Sequence, residues 1–66
     1  MKLENYIVFV RDERNMTQEQ LAEAAGVSRN TISSIECCRH VPSILHALLI
    51  ADALDVDVYD IFRIIK

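Results

Sequence analysis

The stretch from Thr17 to Glu36 limits what this chain can fold into more than any other part of it. Thr17 is a residue type that caps the free amides of a helix's first turn, and Gln20, three residues on, caps back. Leu21, Ala22 and Ala25 then fall on one helical face. Gly26, the only glycine in the chain, follows where a helix must stop in a conformation with positive φ. Val27 plugs the corner, and Ser28 caps a second helix that turns Ile32 and Ile35 inward. Two short helices joined by a tight turn containing glycine form a helix-turn-helix unit.

With Ile32 and Ile35 inside, the opposite stripe of the second helix is Asn30, Ser33, Ser34 and Cys37, flanked by Arg29 and Thr31. An ordinary exposed helix carries Glu and Lys for solubility and propensity. This one carries short hydrogen-bonding groups, which are weak helix formers. It is either a serine-rich solvated face or a face built to enter a DNA major groove. There Asn bridges adenine, Arg forks onto guanine, and Ser or Thr takes either role. The capped first helix and the glycine turn favour the second reading, with a recognition helix over residues 28–37.

Thr17 to Glu36 resembles the helix-turn-helix of the phage lambda repressor and Cro class, the xenobiotic-response-element type of bacterial and archaeal regulators. The likeness runs on through Pro42-Ser43 and Ile50-Ala51-Asp52-Ala53-Leu54 to Asp60-Ile61-Phe62, so it covers nearly the whole chain. It implies an all-α fold of five helices, possessing or lacking a short two-stranded sheet made by the termini. By the same likeness Gln18 touches a backbone phosphate and Arg29, Asn30 and Ser34 face bases. Arg39 and His40 lie in a loop that touches phosphate in related proteins. Arg11 pairs with Glu36, which ties the first helix to the end of the recognition helix and offsets a carboxylate close to DNA. The DNA-binding set expected is therefore Gln18, Ser28, Arg29, Asn30, Thr31, Ser33, Ser34, Arg39 and His40.

Sixty-six residues are enough for one domain, residues 1–66, with a small core. No run approaches the roughly 20 apolar residues of a membrane span, and the apolar run near the N-terminus lacks signal-peptide form, so a cytoplasmic location is expected. Cys37 and Cys38 are adjacent, a spacing that suits neither a zinc site nor a disulfide framework, so reduced thiols are expected. Cys37 is either a redox-sensitive group on the reading stripe or a small filler at a helix end. His40 is either a group that adds charge in this loop or an idle loop histidine.

The net charge of −3 argues against nucleic-acid binding only if its distribution is ignored. Asp52, Asp55, Asp57 and Asp60 crowd the C-terminal third, whereas Arg29, Arg39 and His40 bracket the recognition helix. Such a dipolar molecule can still turn a positive face to DNA.

Residues 4–14 are read as a first helix despite the β-branched run Tyr6-Ile7-Val8-Phe9-Val10, with Val8 and Phe9 outward and Asn15 as a left-handed stop. Beyond Glu36 the family has a glycine where this chain has Cys38, so that turn is either strained or built differently. Pro42 and Ser43 open a fourth helix with an inward stripe of Ile44, Ala47, Leu48, Ala51 and Leu54. Leu45, Leu49 and Ala53 are left on the other side. Asp55 ends that helix and Asp57 caps a last short one with Val58, Ile61 and Phe62 facing in. The apolar tail through Ile64 and Ile65 pairs either with residues 1–4 or with its copy in a second subunit.

These features lead to the expectation of a homodimer with Leu45, Leu49, Ile61, Phe62, Ile64 and Ile65 at the interface, bound to double-stranded DNA at a palindromic operator as a repressor. The competing reading is an antitoxin or adaptor that uses the same fold to hold a protein partner. Nothing in the chain has the spacing of a catalytic constellation, a metal site or a phosphate-cradling loop, so neither enzyme activity nor a cofactor or metal is expected.

Overall fold

The first strand and the last one close the chain on itself. In a computed structural model, which describes residues 1–66, β1 (Lys2–Asn5) pairs antiparallel with β2 (Phe62–Ile65) in the register Lys2↔Ile65, Leu3↔Ile64, Glu4↔Arg63 and Asn5↔Phe62. Between them lie α1 (Ile7–Glu13), α2 (Gln18–Ala25), α3 (Arg29–Glu36), α4 (Ile44–Leu54) and α5 (Val58–Ile61). Five helices with a small terminal sheet agree with the fold class expected. α2 packs on both α3 and α4, and α5 leads directly into β2.

Local chemistry explains most element boundaries. Thr17 Oγ1 accepts the Gln20 amide at 3.0 Å while Gln20 Oε1 accepts the Thr17 amide at 2.9 Å, a reciprocal capping box. Ser28 and Ser43 cap α3 and α4 through the Thr31 and His46 amides, each at 3.1 Å. At α5 the Asp57 amide donates to the Asp60 carboxylate at 2.9 Å.

Helices α1 to α4 all stop in the same way. Asn15, Gly26, Cys38 and Asp55 adopt the left-handed conformation, with φ of 52, 74, 59 and 57°. The amide of the following residue then reaches back to the helix: Met16 to Arg11 O, Val27 to Ala22 O, Arg39 to Ser34 O and Val56 to Ala51 O, at 2.9–3.0 Å. This is the Schellman arrangement, which satisfies otherwise orphaned carbonyls. It is ordinarily anchored by an apolar residue at the following position. Met16, Val27 and Val56 fill that role against the core, but after α3 the position holds the exposed Arg39.

One core of 11 residues (Ile7, Leu21, Ala22, Ala25, Ile32, Ile35, Ile50, Ala51, Leu54, Ile61 and Phe62) contains no buried polar residue. Each fully buried Ile, Leu or Phe stabilises the fold by about 1.5–3 kcal/mol relative to exposure.

The structure corrects three expectations. The first helix begins at Ile7 and ends at Glu13, because residues 2–5 obtain their backbone partners from β2 instead. In α4 the inward stripe is Ala47, Ile50, Ala51 and Leu54, whereas Ile44 and Leu48 are 80 % and 53 % exposed. The helix is apolar nearly all round, so its own pattern did not determine its rotation. Finally, Ile61 and Phe62 are buried within this chain and Leu49 packs against its core. They have little or no surface to offer a second subunit, while Leu45, Ile64 and Ile65 remain exposed.

Candidate nucleic-acid interface

The helix-turn-helix is α2, the Gly26 turn and α3. Leu21, Ala22 and Ala25 of α2 and Ile32 and Ile35 of α3 share the core, which fixes the two helices against each other. Burial of the Ile32 and Ile35 stripe turns Arg29 and Asn30 fully outward, with Ser33 and Ser34 half-exposed one turn on. Ser28 and Thr31 are partly committed to the cap: their hydroxyl oxygens lie 2.9 Å apart, and Ser28 Oγ holds the Thr31 amide. Arg29 and Asn30 thus carry the longest outward polar groups of the first turn, and an Arg fork and an Asn carboxamide match guanine and adenine edges.

Three elements meet at the end of α3 on one carboxylate. Glu36, whose side chain is 4 % exposed, accepts from Arg11 Nε at 2.8 Å and Nη2 at 3.3 Å, and from Gln18 Nε2 at 2.7 Å. Arg11 Nη1 also donates to Met16 O at 2.9 Å, so one guanidinium ties α1, the turn before α2, and α3 together. The fork geometry suits Arg, and removing one member of such a pair strands a partly buried charge. Gln18 donates one amide hydrogen to Glu36, and its second remains for an external acceptor.

The depression beside this cluster is lined by Arg11, Asp12, Asn15, Met16, Thr17, Gln18, Glu19 and Arg29. It lies at the start of α2, where backbone amides and the helix dipole favour an anion. Asp12 and Glu19 temper that preference, so the positive character here comes from Arg29 and the partly neutralised Arg11. Just beyond the C-terminus of α3, Arg39 and His40 are exposed in the loop to α4. The structure therefore spreads the expected residues over the start of α2, the length of α3 and the loop that follows it. Asp52, Asp55, Asp57 and Asp60 line a separate depression with Val56.

Reading the chain locally missed one residue. Asn5 donates from Nδ2 to Ile35 O at 2.9 Å and, more weakly, to Glu36 O at 3.5 Å, across some 30 positions of sequence. No short-range pattern marks it. Cys37 and Cys38 are both free and exposed, and no group of three His, Cys, Asp or Glu side chains is arranged to hold a metal ion. No helix is long and apolar enough to cross a membrane.

Comparison with known proteins gives this geometry a context. Residues 9–61 match the helix-turn-helix family. An uncharacterised HTH-type transcriptional regulator of Methanocaldococcus jannaschii is 42% identical over 60 residues, 91% of each chain. The immunity repressor protein of Bacillus phage phi105 is 43% identical over 49 residues, 74% of this chain and 34% of that protein. Among solved structures, the N-terminal DNA binding domain of SinR from Bacillus subtilis superposes with a TM-score of 0.75 at 37% identity, over 80% of this chain and 78% of that one. SinR has also been solved in complex with DNA. With its capped α2, glycine turn and Ser-capped α3, the chain belongs to the helix-turn-helix family, in the lambda repressor and Cro class of DNA-binding regulators.

Proposed function

We propose that this chain is a sequence-specific double-stranded DNA-binding transcriptional regulator of the cytoplasm that acts as a repressor, occupying a palindromic operator as a homodimer. The observation that carries the reading is the outward face of α3. Arg29 and Asn30 stand free in its first turn, Ser33 and Ser34 follow, and both flanks hold side chains suited to phosphate. Ser28 caps the N-terminus of the helix, and the Glu36 side chain in its last turn ties it to α1 and α2. The likeness to a phage repressor and to a regulator solved with DNA supports the same reading. A net charge of −3 makes a single copy a weak binder, and two copies on one duplex gain effective concentration. A two-fold dimer sets its reading helices about 34 Å apart, one turn of DNA, hence the palindrome.

A second reading draws on the exposed apolar run Val41, Ile44, Leu45 and Leu48, which suits a protein partner and would make the chain an antitoxin or adaptor. One experiment separates the two. Duplexes are selected from a random library, and the winner is titrated between about 50 and 200 mM salt, with sedimentation run in parallel. A DNA-binding dimer enriches a near-palindrome whose affinity falls steeply with salt. If no sequence is enriched, or if the affinity ignores salt, the DNA reading fails.

A further inference from the structure

We propose that Asn5 is a positioning residue, which holds the carbonyl end of α3 from the terminal sheet and so sets where the reading face lies. This rests on the DNA-binding reading above.

The four helix stops of the chain differ in one respect that matters. Three are closed by an apolar residue seated on the core: Met16, Val27 and Val56. The stop of α3 has the exposed Arg39 in that place, and its left-handed residue is Cys38. By its own local chemistry this is the weakest stop, although it ends the helix that reads DNA. A cation at that position faces solvent, where a phosphate is accessible, but it leaves the helix end without its usual anchor.

Asn5 supplies the missing anchor. Its Nδ2 donates to Ile35 O at 2.9 Å, the same carbonyl that the Cys38 amide uses at 3.1 Å, and approaches Glu36 O at 3.5 Å and Cys38 Sγ at 3.7 Å. The Asn5 backbone is itself fixed. It sits opposite the buried Phe62 in the sheet register, and the next amide, that of Tyr6, donates to Ile61 O at 2.8 Å. Asn5 Oδ1 meanwhile faces the Ile7 amide at 3.4 Å, at the start of α1. The core residues Ile61 and Phe62 thus locate β1, and β1 locates the end of α3 through one carboxamide. The terminal sheet becomes part of the reading apparatus without touching DNA.

Two variants of the full chain test this. Asn5→Asp removes the donor to Ile35 O but keeps an acceptor for the Ile7 amide, whereas Asn5→Ala removes both. Amide hydrogen exchange is measured by NMR on the free protein under native conditions. In both variants the Cys38 and Arg39 amides are expected to exchange about two- to tenfold faster, the range set by the net worth of one hydrogen bond, with Gly26 and Val27 unchanged. Unchanged exchange at Cys38 and Arg39, or acceleration spread equally over Gly26 and Val27, overturns the proposal. So does acceleration in Asn5→Ala alone, which would place the effect at the start of α1.

The second readout is DNA affinity of Asn5→Ala, chosen because it adds no charge. The selected duplex is expected to bind about threefold to tenfold more weakly while a scrambled duplex stays within about twofold, since base contacts depend on helix placement more than phosphate contacts do. An equal loss on both duplexes refutes positioning and leaves only a structural role. If wild-type protein enriches no duplex, the DNA reading falls with it, and the exchange measurement alone then decides whether Asn5 holds α3.

Discussion

Replacing Cys38 by glycine should make this protein more stable, although it removes atoms. Cys38 holds φ at 59° in the stop after α3, and the left-handed conformation costs a residue with a Cβ about 1–2 kcal/mol. Asn15 and Asp55, at the equivalent positions after α1 and α4, are side chains that tolerate this region better, and Gly26 has no such cost. Glycine gives back about 0.5–1 kcal/mol through the greater freedom of its unfolded chain. The difference is a net gain centred on about 0.75 kcal/mol, within a span of about 0–1.5, and the central value in a domain of this size raises Tm by roughly 3–6 °C. Thermal unfolding followed by circular dichroism under reducing conditions measures it. Cys38→Ala is the necessary control. It too loses the thiol and its 3.7 Å approach to Asn5 Nδ2, but it keeps the Cβ and the strain. Cys38→Gly should therefore melt above both the parent and Cys38→Ala. If glycine is no better than alanine, the stop is not strained, and the reasoning from φ is wrong.

Other outcomes follow from the same structure. Asn30→Ala should cost about 1–3 kcal/mol on a selected operator and little on random DNA, whereas Arg39→Ala should weaken both alike and lower the salt slope by about one unit; equilibrium titrations across salt concentrations distinguish the patterns. Arg11→Met or Glu36→Gln alone should lower stability by up to about 3–5 kcal/mol, and the double variant should recover part of the loss, which a denaturant double-mutant cycle reads as coupling; strict additivity would show that the 2.8 Å pair is energetically idle. Tyr6 donates its hydroxyl to Glu4, and Arg63 lies 5.6 Å from the centre of its ring. That hydrogen bond, then desolvation and the Glu4 charge, raise the phenol above its ordinary 10.0 against the opposing pull of Arg63. A raised acid contributes stability that is present below the unfolded pKa and lost as pH climbs through the folded one, so stability should fall above about pH 10, and Tyr6→Phe should flatten that fall in pH-dependent unfolding.

What the sequence by itself determined is what neighbouring residues settle among themselves. The capping box of Thr17 and Gln20, the Ser28 and Ser43 caps, and the stops at Asn15, Gly26 and Asp55 each close within a few positions, so the helices and their order were readable along the chain. The Ile32 and Ile35 stripe is narrow, and burying it left only one face for Arg29 and Asn30 to occupy. The Arg11–Glu36 pair was legible through family resemblance rather than through the residues themselves. Tertiary structure decided the remainder, because those choices are made between distant partners. Apart from His46, Ile44 to Ala51 is apolar all round, so only packing against α2 and α5 could choose Ile50 over Leu48 for the core. The tail could pair with the N-terminus or with a second copy; pairing within the chain buried Phe62 and shortened the first helix to begin at Ile7. Asn5 acquires its place only once that sheet exists, since a single carboxamide carries no periodic signal and its acceptor lies 30 residues away.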